Sequence, residues 1–194
     1  MNIFDIAKQN QEKAWQVIKN TNIIQIWEDA GAKINLVGSL RTGLLMKHRD
    51  IDFHIYSSPL NLADSFLAMA RLAENPSIKR IECANLLHTS EACIEWHAWY
   101  QNEENELWQM DMIHIREGSR YDGYFEKVAQ RISEIMTDEI RETILRLKYE
   151  TPETEKIIGV EYYQAVLRDG VRDYSGFKDG ESSILLRGVV EWMP

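Results

Sequence analysis

Asp50-Ile51-Asp52-Phe53-His54-Ile55-Tyr56 is the segment that most restricts what this chain can become. Apolar side chains recur at every second position, the pattern of a strand with one face in a core. Ile51, Phe53 and Ile55 then face inward, and Asp50, Asp52 and His54 share the opposite face. Two carboxylates side by side repel each other unless a cation neutralises them. Hard divalent ions prefer oxygen ligands, so the pair reads as a metal site. A solvated strand edge is the plainer alternative, and Asp-x-Asp also marks many sugar-nucleotide glycosyltransferases.

A short apolar run from Lys33 to Val37 precedes this strand and enters Gly38-Ser39. It predicts a strand, a tight turn and a short helix over residues 40 to 46. Gly38 would let the backbone approach a ligand closely, and Ser39 would add a hydroxyl and N–H groups for phosphate oxygens. A turn and cap with no ligand is the simpler reading. Downstream, Asp111 stands alone inside the apolar run Trp108-Gln109-Met110-Asp111-Met112-Ile113. A third acid on a neighbouring strand would complete a two-metal site.

Elsewhere the periodicities predict an N-terminal helix, a second one capped at Asn22 and ending at Gly31, and an amphipathic helix from Leu60 to Glu74. A strand near Ile78 to Leu86 is followed by a hairpin of Ile94–Tyr100 and Leu107–Ile115 around the polar turn Gln101–Glu106. Helices are predicted from Tyr124, from Thr137, from Glu161 to Arg168, and from Ser183 to Trp192. The character changes near Gly118, so residues 1–118 read as a catalytic domain and 119–194 as a helical C-terminal subdomain.

Composition narrows the partners. Acids outnumber bases 31 to 22, a net charge of −9, and no run of Lys or Arg offsets it. Such a field repels long nucleic acid and is compatible with a cationic small molecule or a protein. No apolar stretch is long enough for a bilayer and no secretory signal opens the chain, so a cytoplasmic protein with no membrane partner is expected. Cys83 and Cys93 lack zinc spacing and read as reduced thiols.

Taken together, hydrophobic-Gly-Ser, a gap of ten residues (40 to 49), Asp-x-Asp and a later strand Asp resemble the DNA polymerase beta-type nucleotidyltransferase superfamily. The likeness runs in layout over roughly residues 20 to 118. Glu161-Tyr162-Tyr163-Gln164-Ala165-Val166-Leu167 is similar to the helical tails of small bacterial nucleotidyltransferases. The expected fold is α+β: a nucleotidyltransferase-type mixed, mostly antiparallel sheet with helices on one side, plus the helical C-terminal subdomain.

The resemblance implies a nucleoside triphosphate donor and two Mg²⁺ ions, with Mn²⁺ as a substitute. By motif position, Asp50 and Asp52 would hold both metals, and Asp111 would hold the one at the acceptor hydroxyl and help to deprotonate it. Gly38 and Ser39 would contact the β- and γ-phosphates. Arg41, Lys47, His48 and Arg49 precede the Asp pair and are candidate triphosphate ligands, as are Arg116 and Arg120; solvated surface is an equal reading for each. Trp96, Trp99 and Trp108 read first as hairpin packing, and Glu103, Glu104 and Glu106 as an exposed turn. The acceptor is expected to be a small molecule. An antitoxin-like module that nucleotidylates or binds a partner protein is the alternative, and a nucleotide-binding domain without chemistry is a third.

Overall fold

The computed structural model describes residues 2–181 and 192–194. Its elements run α1 (Ile3–Thr21), α2 (Ile23–Asp29), β1 (Lys33–Leu36), α3 (Gly38–Arg41), β2 (Asp50–Ser57), α4 (Leu62–Ala73), β3 (Ile78–Asn85), β4 (Cys93–Gln101), β5 (Leu107–Arg116), α5 (Tyr124–Ile135), α6 (Asp138–Glu150), α7 (Gly159–Leu167) and α8 (Tyr174–Glu181). The five strands form one sheet in the order β1-β2-β5-β4-β3. Only β2 and β5 run parallel; the other three pairs are antiparallel. The α+β expectation therefore holds.

Alternation along the strands divides the sheet into two faces. Ile51, Phe53, Ile55, Trp96, Ala98, Met110 and Met112 are buried on one of them, in a core completed by Ala14, Trp27 and Leu72 of α1, α2 and α4. At about 25 cal/mol per Å² of apolar surface, a side chain the size of Phe53 contributes roughly 2 to 3 kcal/mol. This core sets the register, because a one-residue slip of β2 would turn Ile51 out and Asp52 in. A second core joins Ile144, Leu145, Tyr162 and Val166 of the C-terminal helices to Ala7 of α1 and to Leu44 and Met46. It thus recruits residues from well before Gly118.

Several local expectations differ from the structure. Asn22 adopts a left-handed conformation as the C-cap of α1, and its side chain makes no capping bond to α2. The turn after Gly38 holds only four helical residues, because Leu44, Leu45 and Met46 leave the helix to fill the two cores. Thr137 does cap α6, accepting a hydrogen bond from the Ile140 N–H. Helix α8 escapes sequence periodicity, since Gly176 and Gly180 break its pattern; Phe177 anchors it by stacking on Tyr162, with ring centroids 5.0 Å apart. The helix predicted over 183–192 lies almost wholly outside the described residues.

A buried polar network fastens α4 to the sheet. Ser57 Oγ lies 2.8 Å from His114 Nε2, Ser65 Oγ lies 3.1 Å from His114 Nδ1, and Trp96 Nε1 donates to Ser65 Oγ at 2.8 Å. Burial lowers the His114 imidazole to about 4 from its ordinary 6.5. A depressed folded pKa means stability that is present above the unfolded value and lost as pH falls from about 6.5 towards 4. The wild-type chain is expected to lose on the order of 3 kcal/mol over that window from this group. Urea denaturation at pH 7, 5.5 and 4.5 checks it. His114→Gln should start less stable at pH 7 and show a flatter decline.

Candidate active site

Strand register brings the three aspartates to one face. Asp52 and Asp111 are direct partners across the parallel β2–β5 pair, and Asp50 stands opposite Gln109. Adjacent strands lie about 4.8 Å apart, so this placement comes from the backbone alone. All three acids line a cavity of about 730 Å³ between the sheet and the C-terminal helices, together with Gly38, Ser39, His97, Gln109 and Lys148.

Gly38 makes this corner possible. Its φ of +65° favours glycine, and a Cβ there would overlap the Asp52 carboxylate. The following Ser39 N–H donates to that carboxylate. Desolvation pushes the Asp52 pKa well above the ordinary carboxylate range, and the charges of Asp50 and Asp111 raise it further; Lys148 and the Ser39 N–H oppose them. Asp50 Oδ1 and Ser39 Oγ are buried without a hydrogen-bond partner among the described residues. Orphaned oxygens beside a crowded carboxylate are the donor set that a hard divalent cation satisfies. The residues present therefore fit Mg²⁺ or Mn²⁺.

The carboxylates have not closed on one point. Among the described residues, the acid and thiol side chains whose ligand atoms all lie within 4.8 Å of one another are Glu91, Cys93 and Glu95, not the aspartates. None of those three lines the cavity, and burial followed by Glu95 and Glu91 raises the Cys93 thiol to about 12, so it is protonated at neutral pH. Asp111 is held through one oxygen: its Oδ1 lies 2.6 Å from His97 Nδ1 and accepts from Gln109 Nε2 at 2.7 Å.

The basic candidates separate. Arg49 lines the cavity but pairs with Glu106 at 3.0 Å. His48 lines it and is exposed. Lys47 turns away, donating to the Thr151 carbonyl at 2.6 Å and lying over the Tyr149 ring. Arg41 is exposed at the end of α3 and does not line the cavity, and neither do Arg116 and Arg120. Trp96 and Trp108 are buried in the core behind the sheet. Glu106 is no idle turn residue: it binds both Lys13 and Arg49 at 3.0 Å, tying α1 to the edge of the site.

No family model matches the sequence, and no curated protein matches it. Solved structures do. The Cid1 poly(U) polymerase bound to MgGTP superposes with a TM-score of 0.60 at 14% identity, over 82% of this chain and 50% of that one. The poly(A) polymerase complex GLD-2–GLD-3 gives 0.56 at 8% identity, over 86% of this chain and 58% of its match. The GLD-2/RNP-8 complex gives 0.57 at 8% identity, over 97% and 71%. The chain has a nucleotidyltransferase fold. It spans about half the length of the first of these structures.

Within this nucleotidyltransferase fold, three contributors lay beyond sequence reasoning because they come from remote elements. Lys148 of α6 reaches the cavity buried, donating to the Leu44 carbonyl at 3.1 Å and to the Tyr163 hydroxyl at 3.5 Å. Its position amid apolar α6 residues was the only signal. Glu126 of α5 lies 3.5 Å from His54 Nδ1 and accepts from Asn35 Nδ2 at 3.1 Å. Burial opposes its charge, but His54 and Asn35 win and hold Glu126 at about 2. His54 also meets the Phe125 ring edge-on at 5.2 Å, so α5 is pinned to the sheet beside the acids. His97, which shows no ligand-like spacing along the sequence, is the direct β4 partner of Asp111.

Two outcomes follow from this geometry. Gly38→Ala strains the left-handed turn and displaces Asp52; Mn²⁺ affinity measured by calorimetry should fall at least tenfold. The raised pKa of Asp52 means that a cation must displace its proton at low pH. Mn²⁺ affinity should therefore rise with pH through the range above the ordinary carboxylate value, and Asp52→Asn should abolish that rise.

Proposed function

We propose that this protein is a metal-dependent nucleotidyltransferase that moves a nucleoside monophosphate from a nucleoside triphosphate to an acceptor hydroxyl, releasing pyrophosphate. The observation that carries this reading is the desolvated Asp52 carboxylate, packed under Gly38 and flanked by Asp50 and Asp111 at the floor of a cavity. The nucleotidyltransferase fold supports it.

Asp50 and Asp52 would hold two divalent ions, Mg²⁺ or Mn²⁺, with Asp111 on the one nearer the acceptor. Bound there, the ions supply charge neutralisation along the triphosphate and acidify the acceptor hydroxyl. Asp111 helps to remove the hydroxyl proton. The acceptor oxygen then bonds to the α-phosphorus as the bond to the β-phosphate oxygen breaks, and pyrophosphate carries the charge away. Lys148 and the Ser39 hydroxyl, which line the same cavity, would bind the departing phosphates. Arg49, once released from Glu106, adds a second cation at the rim.

A small hydroxyl compound is the acceptor we favour. The cavity, at about 730 Å³, is in the range of small-ligand sites, and the net charge of −9 suits a cationic molecule. The likeness to poly(U) and poly(A) polymerases favours a second reading, in which the hydroxyl is the 3′ end of RNA.

Incubation with each of the four ribonucleoside triphosphates, Mg²⁺ and panels of either acceptor class should release pyrophosphate in one panel. Asp52→Asn and Asp111→Asn should each lower kcat/KM at least a thousandfold, roughly 4 kcal/mol of transition-state stabilisation. Lys148→Met should act mainly on the KM for triphosphate, raising it about tenfold, on the order of 1.4 kcal/mol. Retained activity in Asp52→Asn would remove the proposal.

A further inference from the structure

Two donors converge on one oxygen of Asp111. His97 Nδ1 lies 2.6 Å from Oδ1 and Gln109 Nε2 donates to the same atom at 2.7 Å, so Oδ2 receives neither of these bonds. The arrangement is built into the sheet. His97 is the direct antiparallel partner of Asp111 on β4, and Gln109 precedes it by two residues on the same face of β5. All three side chains line the cavity. A carboxylate is acceptor-only when ionised, so Nδ1 carries the hydrogen of this bond.

We propose that His97 and Gln109 are positioning residues that hold Asp111 by Oδ1 and present Oδ2 alone to the divalent cation. This deepens the nucleotidyltransferase reading and rests on it. An unrestrained carboxylate rotates about its Cβ–Cγ bond and can offer either oxygen or both. Pinning one oxygen with two donors selects a single ligand atom and an orientation, the task outer-shell partners perform at metal centres.

Mn²⁺ binding, measured by the paramagnetic resonance of the free ion on the full chain, tests this without any acceptor. His97→Ala should weaken the Asp111-dependent site about ten- to hundredfold. His97→Asn, whose amide nitrogen falls near the place of Nδ1, should restore affinity to within a few-fold of wild type. His97→Gln, whose amide reaches toward Nε2 instead, should not. Gln109→Leu should weaken binding as His97→Ala does, and thermal midpoints of all variants should stay close to wild type. Wild-type affinity in His97→Ala, or failure of Asn to outperform Ala, would overturn the positioning role and leave the enzyme reading standing. Absence of Mn²⁺ binding by the wild-type chain would instead overturn both.

Discussion

A carboxylate held against a glycine is the contact around which the site is arranged. Asp52 belongs to a strand whose other face is anchored by Ile51, Phe53 and Ile55 in the core, so its side chain cannot leave the cavity face without unseating that core. The space it occupies exists only because residue 38 has no Cβ. Desolvation at this point is a cost, and the charges of Asp50 and Asp111 add to it. Stability alone would have replaced such an acid, because an uncompensated buried charge is among the most expensive features a fold can carry. On the proposed reading, a cation among the three acids offsets that cost, and Asp50 Oδ1, buried with no hydrogen-bond partner among the described residues, is an oxygen it would use.

Topology explains how residues 59 positions apart in the chain (111 − 52) become neighbours. The single parallel pair, β2 with β5, puts Asp52 opposite Asp111, and the β4–β5 hairpin then adds His97 from the other side. The helical half supplies the complementary charge: Lys148 projects from α6 into the cavity, and the Glu126 contact with His54 and Asn35 pins α5 to the sheet. The second core reaches back to Ala7, Leu44 and Met46, so the segment following the glycine turn is shared between the two halves. Movement of the helices against the sheet would therefore be felt directly at Gly38 and Ser39.

Much of this was legible before any coordinates. Period-two alternation in residues 50–56 and in 94–100 fixes which side chains face the core, and both strands fold as that pattern dictates. Gly38-Ser39 was readable on its own only as a turn and cap, and it gained meaning from the acid pair that follows after a gap of ten residues. What stayed hidden depends on pairing that sequence spacing does not encode. His97 shows no ligand pattern along the chain and gains its role only through register with Asp111. Lys148 sits in the last turn of α6 with only its apolar neighbours in the sequence to mark it, whereas Lys47 was a candidate triphosphate ligand; it is Lys148 that lines the cavity and Lys47 that bonds the Thr151 carbonyl. Helix α8, broken by two glycines, depends on the Tyr162–Phe177 stack rather than on local periodicity.

The most direct test is a crystal grown with Mn²⁺ and a non-hydrolysable nucleoside triphosphate, with diffraction recorded at the manganese edge. Anomalous peaks between Asp50, Asp52 and Asp111, with the triphosphate running past Ser39 towards Lys148, are the expected result. Manganese bound only at Glu91, Cys93 and Glu95, or a triphosphate seated away from Gly38, would contradict the assignment.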